Sequence, residues 1–152
     1  MREPQDAGVQ EGLAVRRAVF GDDLVDRNYT HATDFARPAQ EWIASAVWAD
    51  VWTRDGLDRR TRSLVTLGIL TALDRPTEFD SHLRAALTNG CSVADLQELL
   101  LHTAPYCGAP AALQAFRQAE RVLTEAGVLP AAPPTAPIPD PVPDTVPDPA
   151  SD

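Results

Sequence analysis

The stretch from Asp58 to Pro110 constrains the fold most, because apolar residues recur there at helical spacing between successive helix start and stop signals. Asp58 is a suitable N-cap for a helix from Arg59 to Leu73, whose interior is apolar on nearly every side. We therefore expect this to be the central buried helix. A second helix is predicted from about Thr77 to Thr88, and Asn89-Gly90 supplies its stop signal.

Two further helices are predicted in the C-terminal part of this region. The sequence Ser92-Val93-Ala94-Asp95 is a capping box that opens a helix to about Ala104. Pro105 and Pro110 both disfavour regular helix, so a break is expected between them. The last helix runs from about Ala111 to Ala126. Because no alternating strand pattern appears, the predicted fold class is all-α.

The N-terminal part has weaker signals. The stretch from Gly12 to Phe20 predicts a short amphipathic helix that directs Arg16 and Arg17 away from its buried face. The irregular stretch from Leu24 to Ala36 is interpreted as a loop. From Pro38 onward, three- and four-residue spacing predicts a helix with one apolar face. The members of that face are Trp42, Ile43, Val47, Trp48, Val51 and Trp52.

These elements predict one compact helical domain of about six helices over residues 12–129, preceded by a flexible N-terminus at residues 1–11. The composition changes at residue 130: nine of the final 23 residues are proline and four are aspartate. Such a segment buries too little apolar area to offset its ordering entropy. Residues 130–152 are therefore predicted to form a disordered tail.

Composition excludes several classes of function. The chain has 152 residues, a formal net charge of −9 and no lysine, which rules out a Schiff-base lysine and a P-loop. The acidic balance argues against a nucleic-acid partner. No run approaches the roughly 20 apolar residues that cross a bilayer, so no membrane partner is expected. The N-terminus lacks the order of a secretory signal, which predicts a cytoplasmic protein.

Glu78 and His82 are the first candidate site residues. They lie four positions apart, so their side chains can meet on one face of a helix. A neighbouring carboxylate favours the protonated histidine, and this arrangement suits a general acid at neutral pH. An ordinary surface ion pair would show the same spacing. One histidine without a cysteine pair is weak evidence for a metal, and no metal site is predicted.

Other candidates are the arginines near the central helices, of which one or two could bind a carboxylate bidentately. His102 could line the same cavity or bond to a backbone carbonyl. Tyr106 lies in the expected break and could contact a ligand or belong to the core.

Several segments together resemble the carboxymuconolactone decarboxylase family in order and spacing. They lie within residues 12–127 and comprise Gly12–Arg27, Trp48–Trp52, Gly56–Leu64, Glu78–Gly90 and Tyr106–Pro110. The resemblance implies the all-helical alkylhydroperoxidase D-like fold and a homo-oligomer, commonly a trimer or hexamer. In the redox branch of this superfamily a C-x-x-C-x-x-x-H motif carries the dithiol. Here Arg75 and Glu78 occupy the cysteine positions before His82, which disfavours dithiol peroxidase activity.

The resemblance also implies a function, the cofactor-free decarboxylation of 4-carboxymuconolactone to β-ketoadipate enol-lactone in aromatic catabolism through protocatechuate. The expected small-molecule partner is thus a carboxylated lactone. We assign His82 to proton delivery and Glu78 to orienting it. The candidates for substrate binding are Arg54, Arg62, Arg84, Trp48, His102 and Tyr106.

Departures from the family pattern keep two alternatives open. Ala49 stands where decarboxylases of the family usually have glycine, and Pro105 and Cys107 are also unusual. Such changes can reshape a pocket enough to alter its substrate. One alternative is a relative acting on a different carboxylated ring in specialised metabolism, as decarboxylase, isomerase or cyclase. The other is a non-catalytic oligomeric protein that binds a ligand in the same cavity.

Overall fold

The computed structural model describes residues 7–131, and every regular element within them is helical. The predicted all-α class is confirmed for this part of the chain, while most of the predicted tail lies outside it. No helix in this range is long and apolar enough to span a membrane. The elements are α1 (Ala7–Phe20), α2 (Asp22–Thr30), α3 (Arg37–Trp42), a π-helical segment (Ile43–Ala49), α4 (Arg59–Ala72), α5 (Pro76–Thr88), α6 (Val93–Cys107) and α7 (Ala109–Glu125).

Helices α4 to α7 pack around the larger apolar core. It includes Leu67 of α4, Leu83 of α5, Leu100 of α6 and Val122 of α7, each at most 2% exposed. The predicted caps that begin two of these helices are confirmed. The Asp58 carboxylate accepts a hydrogen bond from the Thr61 backbone N–H at 2.6 Å. Both bonds of the capping box at the start of α6 are present.

The N-terminal helices form a second layer, in which α1 crosses the π-helical segment at very short range. A Cβ built on Gly12 would lie 1.7 Å from the Ala44 carbonyl oxygen, so only glycine permits this approach. Around the crossing, Leu13, Val25 and Tyr29 are buried together with Ala44. This close crossing determines how the rest of α1 meets its neighbours.

The loop predicted from Leu24 to Ala36 is wrong, because most of it is helix α2. Val25 and Tyr29, four residues apart, are its buried residues. A face of two residues is too short to stand out among the polar residues around it. α1 likewise begins at Ala7, five residues before the predicted start at Gly12.

The predicted tryptophan face is correct only in part. Trp48 and Trp52 are buried, but Trp42 is 64% exposed and Val51 is 43% exposed. The cause is the π-helical segment, shown by the bond from the Asp50 N–H to the Ser45 carbonyl five residues earlier. The wider turn rotates the residues after it relative to those before it.

Two other expectations are also corrected. Helix α4 is not buried all round, since Val65 and Ile69 are half exposed. Helix α6 ends at Cys107, three residues after the predicted end at about Ala104, and Pro105 lies in its last turn, where its missing N–H costs one hydrogen bond. The break expected between Pro105 and Pro110 is present at Gly108, whose φ of 87° is easily adopted by glycine.

Candidate active site

The ring of His82 lies at the junction of the two layers, where α5 meets α1. It is half-buried, and the Phe20 ring packs edge-on against it with 4.9 Å between centroids. Phe20 in turn contacts Trp48 at 5.4 Å, and Trp48 contacts Trp52 at 4.7 Å. His82 is therefore one member of a continuous aromatic cluster, and the predicted pocket residue Trp48 belongs to the same cluster.

Arg16 is the cation beside this cluster. It lies four residues before Phe20 on α1, and its side chain is half-buried. Its Nη1 donates to the Gln40 side-chain oxygen at 2.9 Å, while its Nε is buried with no hydrogen-bond partner. Burial lowers the pKa of the Arg16 guanidinium from its ordinary value. The expectation that Arg16 points away from the buried face is therefore wrong.

The protonation of His82 differs from the expectation. Its pKa is lowered from 6.5 to about 4, first by burial and second by the positive charge of Arg16. Glu78 raises this pKa, but its effect is the smallest of the three. In the absence of a ligand, His82 is thus neutral at physiological pH rather than the charged acid that the Glu78 spacing suggested.

Glu78 lies in the first turn of α5 and is exposed. Among the described residues, no hydrogen bond joins its carboxylate to His82. Its influence on the imidazole is therefore electrostatic and passes partly through solvent, which weakens it. An orienting role for Glu78 stays a prediction.

The predicted arginines do not gather around His82. Arg54 is exposed, and its carbonyl accepts a hydrogen bond from Nη2 of Arg62 at 2.9 Å. Arg62 also has a buried Nε without a partner. Arg84 forms an ion pair with Glu125 of α7 at 2.7 Å. Arg84 therefore already has an anionic partner within the chain, whereas Arg62 retains free donor capacity.

His102 and Tyr106 lie next to each other on α6. Their rings are 5.1 Å apart between centroids, both residues are exposed, and Tyr106 is 77% exposed. The structure brings these two residues together on the surface, and among the described residues no ring contact joins them to the cluster of His82 and Phe20. Their predicted role in a pocket wall would require a further surface to cover them.

Neither cysteine occupies the aromatic cluster. Cys91 is buried, where its Sγ donates to the Arg60 carbonyl at 3.6 Å, and burial raises the pKa of its thiol. Cys107 is half-buried at the end of α6. Among residues 7–131, no group of three or more His, Cys, Asp or Glu side chains is arranged to hold a metal ion.

The sequence reasoning missed Arg16, Phe20 and Gln40 as site residues. One signal was present, because Gly12, Arg16 and Phe20 recur at four-residue spacing and so share one face of a helix. An arginine between a glycine and an aromatic residue on that face is a candidate for a buried cation. No local signal indicated that this face would meet His82.

Comparison with known proteins shows the family of the chain. The Carboxymuconolactone decarboxylase family profile matches residues 37–121, more than half of the chain. The chain is 42% identical to 4-carboxymuconolactone decarboxylase of Acinetobacter baylyi over 121 residues, covering 80% of this chain and 90% of that protein. It is 38% identical to nitrosuccinic acid decarboxylase npaB of Metarhizium robertsii over 115 residues, covering 76% and 80% respectively. The protein belongs to the carboxymuconolactone decarboxylase family.

The matched family region begins at Arg37, so α1 and α2 lie before it. The Phe20 ring that contacts His82 comes from α1, whereas Trp48 and His82 lie within the residues matched by the profile.

Proposed function

We propose that this protein is a carboxy-lyase that decarboxylates 4-carboxymuconolactone to β-ketoadipate enol-lactone without a cofactor, in aromatic catabolism through protocatechuate. The observation that carries the proposal is the 42% identity to the Acinetobacter baylyi enzyme over nine-tenths of that enzyme's length. The His82 cluster supports it, because it places a half-buried titratable imidazole against the apolar ring of Phe20.

The chemistry of the substrate explains why no cofactor is required. The bond between the γ carbon of the unsaturated lactone and its carboxylate breaks, and carbon dioxide leaves. The electron pair passes through the double bond to the lactone carbonyl oxygen, which gives a dienolate. Protonation of the α carbon then yields the enol-lactone. The protein must bind the carboxylates, shield the departing one from water, stabilise the enolate oxygen and deliver one proton.

His82 is the proposed proton donor, with Glu78 acting on it electrostatically. Since His82 is neutral in the free protein, its proton must be acquired as the substrate binds. A bound carboxylate beside the imidazole raises its pKa by the same Coulombic effect through which Arg16 lowers it. Trp48 and Phe20 form the apolar wall, and Arg54, Arg62, His102 and Tyr106 remain candidates for substrate contact.

A second candidate substrate is nitrosuccinic acid, which the 38% identity to the Metarhizium robertsii decarboxylase favours. Both named substrates carry two carboxyl groups and an electron-accepting group, a lactone carbonyl in one and a nitro group in the other. A site that binds a carboxylate and holds a proton donor in an apolar wall suits either reaction. Nitrosuccinic acid is therefore the compound with which we represent the alternative that the protein acts on a different carboxylated substrate.

We also propose that the protein is a cytoplasmic homo-oligomer, a trimer or hexamer. Support comes from three exposed apolar side chains that follow one another by four residues along α4 and its C-cap. Val65, Ile69 and Leu73 are 50%, 52% and 59% exposed. A contiguous apolar stripe of this kind is typical of a protein interface.

The test is to incubate the purified protein separately with 4-carboxymuconolactone and with nitrosuccinic acid. Loss of the lactone's ultraviolet absorbance with release of one carbon dioxide per molecule supports the first proposal. Carbon dioxide release from nitrosuccinic acid alone supports the second. Binding of either compound without carbon dioxide release would contradict both and favour a ligand-binding protein.

A further inference from the structure

Arg16 is a cation without an anion in the part of the chain that the structure describes. Other arginines there, such as Arg17, Arg84 and Arg121, pair with carboxylates at 2.5 to 2.7 Å. Arg16 is half-buried and bonds to the neutral side chain of Gln40, and its buried Nε has no partner. A guanidinium has five N–H donors, and leaving a buried donor unpaired costs free energy. Arg16 is therefore suited to an anion from outside the chain.

The packing of α1 brings this cation to the candidate active site. Gly12, four residues before Arg16, contacts Ala44 of the π-helical segment. Phe20, four residues after Arg16, contacts the His82 ring. Arg16 thus lies midway along the face of α1 that packs on the π-helical segment and on α5. The hydrogen bond to Gln40 holds one end of its guanidinium in place.

We propose that Arg16, positioned by Gln40, binds a carboxylate of the substrate beside His82. The inference rests on the proposed decarboxylase function for the identity of the substrate. It goes further in naming the residue that binds the carboxylate.

Binding of a carboxylate at Arg16 also favours the protonated form of His82. The charged groups that act on His82 are Arg16 from α1 and Glu78 from α5 itself. The π-helical segment contributes the apolar ring of Trp48 to this cluster. When a carboxylate neutralises Arg16, the repulsion that disfavours imidazolium is removed. The pKa of His82 then rises, although burial, the larger effect, still lowers it, so carboxylate binding makes protonation of His82 easier.

The experiment is an NMR titration of labelled histidine in the full-length protein, with succinate as a simple dicarboxylate probe. It compares the wild type with Arg16→Gln and with Arg17→Gln. Arg17 is the matched control, because the substitution removes the same charge from the adjacent residue, which pairs with Asp26 on the surface.

In the wild type, succinate is expected to raise the pKa of His82 above its value of about 4. In Arg16→Gln, the pKa of His82 should already be higher without succinate, and the Kd of succinate should rise roughly ten- to hundredfold, as for loss of a charged hydrogen bond. Arg17→Gln should match the wild type. Equal succinate affinity in Arg16→Gln and wild type, or no binding to the wild type, would overturn the proposal.

Gln40→Glu gives an independent test if Arg16→Gln does not fold. A glutamate there pairs with Arg16 inside the chain, so it should raise the pKa of His82 and weaken succinate binding. Unchanged succinate affinity would refute the assignment. If succinate binds through Arg16 but 4-carboxymuconolactone is not decarboxylated, the proposed function is contradicted while the carboxylate-binding role of Arg16 is supported.

Discussion

At the scale of single residues, His82 is controlled by burial more than by the neighbour that its sequence spacing suggested. An exposed carboxylate in the first turn interacts through water, where such pairs contribute about 1 kcal/mol or less. Burial can shift the pKa of a histidine by several units. The larger effect determines the outcome, and the pKa of His82 falls to about 4 despite Glu78.

His82→Ala is expected to lower kcat for decarboxylation of 4-carboxymuconolactone by roughly a hundredfold to ten-thousandfold, the usual contribution of one general acid. The matched control is His31→Ala, since His31 is exposed at the end of α2. Steady-state rates on folded protein, verified by circular dichroism, measure the effect. Wild-type turnover in His82→Ala would remove the assignment of the proton donor.

His82 should also make stability depend on pH. The pKa of His82 in the folded protein lies below the unfolded value of 6.5. At a pH between the two pKa values, the unfolded chain therefore binds a proton at His82 and the folded protein does not. The free energy of unfolding should therefore fall as pH drops below 6.5. From about pH 7 to about pH 5, the titration of His82 should lower the free energy of unfolding by about 2 kcal/mol.

Urea unfolding of the wild type and of His82→Gln at both pH values tests this effect. The variant has no imidazole to titrate, so it should lose about 2 kcal/mol less than the wild type over the same interval. Carboxylates such as Asp95 titrate in both proteins and cancel in the comparison. Identical losses in the two proteins would show that the pKa of His82 is not lowered.

At the scale of elements, the crossing of α1 over the π-helical segment positions the site. Gly12 allows the backbones to touch at Ala44, and from there α1 carries Arg16 and Phe20 to His82. The wider turn of the π-helical segment orients Trp48 toward Phe20 in the same layer. The geometry of the site is therefore set by the contact between two helices rather than by a loop.

Gly12→Ala is expected to destabilise the protein by roughly 1 to 3 kcal/mol or more, because the added Cβ must force α1 away from a backbone carbonyl. It should also weaken the proposed activity by displacing Arg16. The control is Gly56→Ala, where an added Cβ meets nothing within 4 Å. Urea unfolding and the decarboxylation assay measure both effects, and equal stability of the two variants would contradict the tight crossing.

At the scale of the whole molecule, the described chain has a core around α4 to α7 and a second layer at its N-terminal side, with the candidate site between them. The apolar stripe of Val65, Ile69 and Leu73 lies on the solvent-exposed side of α4 and contributes to neither core. Exposure of these apolar side chains to water is unfavourable in free energy, so their burial against another copy would stabilise an assembly.

Ile69→Glu is expected to shift the protein toward monomers, since a charge at the middle of the stripe would be buried without a partner. The control is Ala94→Glu, which adds the same charge at an exposed position in the first turn of α6. Light scattering coupled to size-exclusion chromatography gives the mass of each. An unchanged oligomer in Ile69→Glu would exclude this stripe as the interface.

Local sequence signals predicted the bounds of the helices of the C-terminal part to within three residues. The cap at Asp58 and the capping box at Ser92 act within one turn, so reading them requires no knowledge of the rest of the fold. Short or irregular elements could not be predicted in this way. Helix α2 buries only two residues, and the π-helical segment depends on packing that a regular helical period does not describe.

The sequence alone therefore determined the fold class, the main helices and the histidine that forms the centre of the candidate site. The tertiary structure alone decided which groups surround that histidine and whether it is charged. Arg16 and His82 are 66 residues apart, and no periodicity relates them. Their proximity follows from a helix crossing that only Gly12 permits, and burial at that crossing then lowers the pKa of His82.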